Sequence, residues 1–398
     1  MKLYRIPALA LFFCIFVPTV FSADLGLLLD QTPEAGNSAG DPAFSYTGKL
    51  IPWVSAALRE DLDFYVSAGL TAKLTDSDWT FFPELIRASL RFRFGGSQLE
   101  AGRIHYADPF GFIAAGMFDG LSFETGLGTG IFSLGAYYTG FLYKKTANIA
   151  ITTKELIDHN SPLDWEDFGG TYFSPRRVLA QVSYTDSLWG RLRLKLALLG
   201  QFDVSGEENL YHSQYLAARF SFPWKFFIFE GGGVMELIEA AETEPKTAFA
   251  GELGLFLMPP GGITDRIYLG GRWSSGKQEN DSVTAFMPLT TVSQGKILKA
   301  SFSGLASIAA GYNARLHQKL ALEVEGRYFL RTDLGTYTVW PVRDPDSYLL
   351  GAEVYTQFTY SPVSDLRLNL GGGAFIPAPE HNSDVRWQIQ LNALLALF

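Results

Sequence analysis

The sequence predicts an all-β fold, a transmembrane antiparallel β-barrel of about 18 strands (16–18), and three observations lead there. Apolar and polar residues alternate with period two in segment after segment. After residue 22 no stretch offers the roughly 18 uninterrupted apolar residues that a membrane helix needs, so a membrane reading leaves only a closed barrel. Turn residues then cut the chain into an even number of segments, joined by short and long connections in tendency to alternation.

In chain order, the first element is a secretory signal. Lys2 and Arg5 precede the apolar run Ile6 to Val20, and Val20-Phe21-Ser22 sets cleavage after Ser22. Residues 1–22 are therefore expected to be a signal peptide and 23–398 a single barrel domain. Cys14, the only cysteine, lies inside the apolar run, so the barrel has no disulfide framework and no thiolate metal site. Bulky Phe13 before that cysteine argues against a lipoprotein anchor. The formal charge of −9 for the whole chain becomes −11 once Lys2 and Arg5 are removed, which argues against nucleic acid as a partner.

The strands come next. In Ile86 to Phe94, Ile86, Ala88, Leu90 and Phe92 oppose Arg87, Ser89, Arg91 and Arg93. The stretch RLRLKLALLG puts Arg191, Arg193 and Lys195 on one side and Leu192, Leu194, Leu196 and Leu198 on the other. A helix would scatter both sets, whereas a strand sends successive side chains to opposite faces. The same pattern recurs at 266–273, 320–328, 366–370 and 387–395. Short connections are expected at Glu60-Asp61, Gly95-Gly96-Ser97, Gly126 to Gly130, Asp186-Ser187, Pro223, Pro259 to Thr264, Arg315 to Gln318 and Ser361 to Ser364. Longer ones fall between them, the largest at Lys144 to Pro175, Gly276 to Gly295 and Thr332 to Asp346. An even strand count brings both termini to the turn side. Aromatics such as Trp79, Phe81, Phe82, Tyr137, Tyr138, Trp224 and Phe226 gather near segment ends, as a membrane-interface girdle would, although strand propensity alone also enriches them.

If the leucine faces meet lipid, the opposite faces line a water-filled lumen. That phase assigns Arg87, Arg91, Arg93, Arg191, Arg193, Lys195, Arg266, Arg272, Arg327 and Arg367 to the pore, against Glu252, Glu323, Glu325 and Glu353. Bases lead along this wall, so an anion preference is expected for passage of small hydrophilic solutes. Outer-membrane lipid and the barrel-assembly machinery are the expected partners, with terminal Phe398 as the assembly signal. Phe398 is out of phase with Leu395, Leu391 and Ile389. Alternatives with the same fold are a surface adhesin or structural barrel without an open pore, and a barrel dedicated to one saccharide or apolar ligand.

Catalytic and metal chemistry find no pattern. The five histidines, His105, His159, His212, His317 and His381, form no H-E-x-x-H and accompany no nucleophile elbow. His105, three residues before Asp108, is the best-placed base, and a surface role is expected for it. Glu155, Asp158, Asp164, Glu166 and Asp167 could offer oxygens to calcium but lack the EF-hand spacing, and are expected to be a solvated loop. No enzyme, cofactor or metal is expected.

Two stretches resemble the large outer-membrane barrels of the alginate-export and related porin type. In GRIHYADPFGFIAAGMFDG, Gly102-Arg103, Asp108-Pro109, Gly116 and Asp119-Gly120 are similar to the strand, inward loop and return strand of that family. In LLGAEVYTQFTYSPVSDLRLNLGGGAFIP, Gly351, Glu353, Tyr360, Pro362, Leu366, Gly371 to Gly373, Phe375 and Pro377 match its penultimate hairpin. The family's acidic residue two places after the glutamate is Tyr355 here. The resemblance covers about an eighth of the chain and implies the architecture, not the alginate.

Overall fold

In the computed structural model the described residues are 23–398 except 38–40, 76–77, 189, 207–209, 242, 262–263 and 279–282. The proposed signal peptide lies outside them. Eighteen antiparallel strands form one sheet in which β1 (Ala23–Gly36) pairs with both β2 (Ala43–Arg59) and β18 (Arg386–Leu397), so the sheet closes on itself. From β2 the wall continues through β3 (Leu62–Thr75), β4 (Asp78–Phe94), β5 (Ser97–Ala107), β6 (Ala115–Leu127) and β7 (Gly130–Tyr138). It then runs through β8 (Arg177–Leu188), β9 (Leu192–Asp203), β10 (Tyr211–Trp224), β11 (Phe227–Ala240), β12 (Lys246–Leu257) and β13 (Thr264–Ser274). The last part is β14 (Leu305–His317), β15 (Leu320–Arg331), β16 (Leu349–Val363) and β17 (Leu366–Pro377). Each strand pairs with its sequence neighbours, so every connection is a hairpin.

One rim carries tight turns. Between β4 and β5, Gly95 and Gly96 both take positive φ (53° and 81°), the two-residue turn whose twist suits a hairpin and which only glycine enters without strain. The other rim carries nine loops. The third spans 108–114, the fourth 139–176, the seventh 275–304, the eighth 332–348 and the ninth 378–385. The fourth holds three short helices, α1 (Lys144–Ala147), α2 (Thr153–Asn160) and α3 (Phe168–Tyr172). No helix among the described residues is long and apolar enough to cross a membrane.

The alternation sorts as its chemistry requires. On β9, Leu196, Leu198 and Phe202 are exposed on the outside, while Ala197, Leu199, Gln201 and Asp203 are buried within. On β13, Ile267, Leu269 and Trp273 face out and Arg266 and Arg272 face in. A residue-by-residue reading fails at one place on β4. Ser67 pairs with Arg87 and Ala68 with Leu85, so Ile86 is an extra residue, a β-bulge. Upstream of it the phase reverses. Trp79, Phe81 and Leu85 point out, and Phe82 and Glu84 turn inward.

Pairing of β4 with β5 stops at Ala88↔Arg103, leaving 78–87 of β4 without a β5 partner. Side chains complete the wall there. Arg103, 6% exposed, donates to Leu85 O and Phe141 O and grips Asp119 with two bonds of 2.8 Å, while Tyr172 Oη donates to Pro83 O. A proline suits this unpaired edge, having no N–H to leave unsatisfied. Arg103 and Asp119 stand directly opposite each other across β5 and β6, which gives two residues of the first family-like stretch a structural task.

Candidate functional site

The inner wall carries its charges as interlocked pairs. Arg87 and Arg91 both reach Glu100, at 2.9 and 3.2 Å, and Arg93 pairs with Asp63. Across the lumen Arg219 bridges Glu230 (2.9 Å) and Glu252 (3.1 Å), and Glu252 also holds Arg272 at 3.1 Å. Arg327 pairs with Glu325 at 3.0 Å. The inward acids Asp63, Glu100 and Glu230 were missing from the sequence-derived wall because their strands alternate weakly. Their presence narrows the expected lead of bases without reversing it, since Arg87, Arg91, Arg93, Arg272 and Arg327 are each paired with a carboxylate.

Of the residues assigned to the lumen by phase, Arg87, Arg91, Arg93, Arg193, Lys195, Arg266, Arg272, Glu323, Glu325, Arg327, Glu353 and Arg367 occupy inward strand positions. Arg191 does not. It sits in the β8–β9 turn, one residue before β9 begins, because the strand starts after the Gly190 turn. Phe398 lies past the end of β18, with its ring 6.0 Å from that of Trp53. Glu353 is 3% exposed and is taken up by a loop, so it belongs to the covered part of the wall.

Loops enter the barrel where the wall is apolar. Inward Ile104, Tyr106, Leu179, Leu199, Tyr215 and Val234, from β5 to β11, form one buried cluster with Phe112 and Ile113 of the third loop, Leu142 and Ile149 of the fourth and Phe286 and Phe302 of the seventh. At Gly232 a β-carbon would lie 2.8 Å from the ring of Phe110, so the missing side chain makes room for the third loop. A second cluster joins Phe329, Tyr355 and Phe375 of β15–β17 to Ile297 and Leu298 of the seventh loop and Tyr337 of the eighth. Among the described residues, neither cluster includes a residue of β18 or β1–β4.

Charged side chains fasten these loops by their backbones, the groups a buried loop must satisfy. Asp108 accepts from Phe110, Gly111, Ile113 and Ala114 N at 2.8–3.1 Å and so folds the third loop around itself. Burial raises its carboxyl pKa, against the pull of those four N–H donors. Arg177, fully buried, binds Glu155 of α2 at 2.6 Å, Gln201 at 2.6 Å and Tyr211 O at 3.0 Å, which ties the fourth loop to β8–β10. Met287 N donates to Glu236 and Met287 O accepts from Tyr215.

Glu353 accepts from three successive amides, Lys296, Ile297 and Leu298, at 2.6, 3.0 and 2.9 Å. They belong to a hairpin closed by mutual bonds between Gln294 and Ala300, and Gly295 enters it at φ 79° with no space for a side chain beside Glu353. Arg331 donates to the carbonyls of Leu334, Pro345 and Ser347 in the eighth loop. His381, 1% exposed, bridges Leu349 O and the amides of Arg343 and Asp344.

The catalytic and calcium candidates are not brought together. His105 is exposed on β5, apart from the buried Asp108 that its sequence spacing paired with it. His105, His212 and His317 lie on strands. Glu155 completes a capping box on α2, Asp167 caps α3 and Asp164 accepts from Glu166 N. Burial lowers the pKa of Lys144, whose ammonium donates to Asp158 O and Ser161 at the end of α2. Among the described residues no group of three or more His, Cys, Asp or Glu could hold a metal ion.

No protein-family model matches the chain, and no curated protein matches it in sequence. Solved structures do match in shape. OccK2 (OpdF) of Pseudomonas aeruginosa, in complex with glucuronate, superposes with a TM-score of 0.61 at 14% identity, covering 94% of this chain and 98% of that one. OpdK of the same organism, with vanillate, gives 0.63 at 12% identity over 94% and 98%, and another structure of it is described as an outer membrane protein. Pseudomonas aeruginosa OprD gives 0.59 at 13% identity over 94% and 95%. These neighbours do not support the narrower resemblance to alginate-export barrels. What they establish is that the chain has the fold of these closed outer-membrane-type barrels.

Proposed function

We propose that the chain is an outer-membrane channel for small hydrophilic solutes. The observation that carries this reading is a closed barrel with leucine, valine, isoleucine and aromatic side chains exposed outside and interlocked charges within. Only lipid suits such an exterior, and only water or a polar solute suits the interior. Glucuronate and vanillate, bound by two barrels of this shape, are small carboxylates, in keeping with a lumen that offers arginines. Passage would follow β18 and β1–β4, the arc that enters neither apolar cluster. Phe398 serves the assembly machinery as a recognition signal on this reading.

Because Glu100, Glu230, Glu252 and Glu325 sit beside the arginines, anion preference should be modest. Reversal potentials of the purified protein in planar bilayers under a salt gradient test it: weak anion selectivity is expected. Absence of conductance would leave a surface-binding or structural barrel. A second reading, a conduit for saccharide, is favoured by one feature of the uncovered arc, the inward pair Trp53 and Tyr65.

A further inference from the structure

We propose that Trp53 and Tyr65 form a stacking platform for the pyranose ring of an uncharged sugar, on the uncovered inner wall toward the turn rim. This rests on the channel reading above and names a solute for it.

Gly26 stands directly opposite Trp53 across β1 and β2. A β-carbon at Gly26 would lie 2.4 Å from the indole, so the ring occupies the space that a side chain there would fill. Leu25 beside it is exposed on the outer face, which places Gly26 and the indole inside. Tyr65 follows on β3, its ring stacked with that of Trp53 at 6.2 Å between centroids and 14° between the planes, and Phe398 meets Trp53 edge-on at 6.0 Å, so three aromatic rings gather at this place on the wall. Trp53 and Tyr65 are half-buried and belong to neither loop-covered cluster. A tryptophan that served only as a membrane-interface anchor would point out, as Trp79 does.

The polar rim beside the platform is nearly charge-balanced. Arg87 lies over Tyr65 at 5.2 Å and shares Glu100 with Arg91, and Arg93 pairs with Asp63. Three guanidinium groups thus face two carboxylates, offering donors and acceptors together. Sugar hydroxyls both donate and accept, so they suit such a rim better than a carboxylate does. The C–H groups on one face of a pyranose are apolar and weakly positive, and they complement the negative face of an aromatic ring. Recognition by stacking and neutral hydrogen bonds should be insensitive to salt, unlike capture of an anion.

Saturation-transfer NMR of methyl β-glucopyranoside with the purified full chain in detergent tests this. The expected result is transfer strongest to the axial ring protons, a dissociation constant unchanged by high salt and no competition by acetate. Trp53→Ala should weaken binding roughly tenfold or more, and Trp53→Phe should restore most of it. Heat-modifiable gel mobility checks that each variant is folded. The platform is overturned if the parent shows no transfer, if Trp53→Ala binds as the parent does, or if acetate or salt displaces the sugar. Ion conductance is measured separately. A barrel that binds sugar without conducting contradicts the channel reading alone, and one that conducts without binding sugar contradicts the platform alone.

Discussion

The two sides of the barrel handle the same architectural problem differently. From β5 to β17 the inner wall is largely apolar in its loop-side half, and the third, fourth, seventh and eighth loops fold down onto it. Across β18 and β1–β4 many inward residues are polar or charged, for example Thr47, Lys49, Thr71, Arg87 and Gln390, with the aromatic Trp53, Tyr65 and Phe82 among them, and neither apolar cluster includes them. Other loop contacts reach this arc: Tyr143 packs with its ring 4.5 Å from that of Phe82, Thr146 donates to Glu84, the guanidinium of Arg386 lies 3.7 Å from the ring of Trp340, and Lys299 approaches Glu34 at 3.8 Å. A loop buries itself only where it can remove apolar surface from water, at roughly 25 cal/mol per Å². The difference teaches that the wall's own side chains decide where the lumen is filled and where it is left for solute.

Breaking a loop tether should have the largest effect. Arg177→Leu would leave Glu155 and Asp203 without the cation that lies 2.6 and 3.5 Å from them, and loss of one partner of a buried pair costs about 3–5 kcal/mol. We expect a lower unfolding midpoint in urea and rapid proteolysis within the fourth loop. An unchanged midpoint would show that the covered arc does not depend on this tether. Next in size is the outer face. Leu196→Arg puts a cation where lipid is expected and should cost about 2–4 kcal/mol, whereas Arg193→Leu on the inner face of the same strand should cost much less. Equal effects by heat-modifiable mobility would contradict the assigned faces.

The seventh loop offers a finer probe. Glu353→Gln keeps the shape but replaces a charged acceptor of three amides, and bonds to charged groups contribute about 1.5–3 kcal/mol against roughly 1 for neutral ones. Faster hydrogen exchange at Lys296, Ile297 and Leu298 and more frequent current fluctuations are expected, with the fold intact. Arg91→Glu combined with Arg193→Glu should have the smallest effect on stability. It should shift the reversal potential toward cations, and no shift would mean that these two side chains stand away from the conducting path.

Much of this contrast was legible in the sequence, but not all. Strict alternation at 191–198 and 387–395 identifies strands and faces because a half-exposed membrane strand needs it, and the Gly95-Gly96 pair marks its hairpin. The reversal at Ile86 was not legible, since a bulge is set by pairing with β3 and leaves the apolar count of β4 unchanged. Glu100 escaped because Leu99 and Ala101 give a weak outward signal on either side of it. Asp108 and Glu353 stood out in the family-like stretches, yet their partners are backbone amides, which carry no residue identity for sequence reasoning to read. Trp53 and Tyr65 look like ordinary strand aromatics until register puts a glycine beneath one of them.

The central claim is that loops fill one arc of the lumen and leave the other open to solute. Cys14 is the only cysteine and lies within residues 1–22, so single cysteines introduced into the barrel can be read without background once that segment is removed. Lys49→Cys and Gln390→Cys probe the uncovered arc, and Ala217→Cys and Ala250→Cys probe the arc beneath the loops. The measurement is the rate of modification by a charged, water-soluble thiol reagent in the folded protein, followed through the fall in single-channel conductance. The account predicts fast labelling with loss of current at positions 49 and 390 and little of either at 217 and 250. Equal rates at all four positions, or the reverse order, would contradict it.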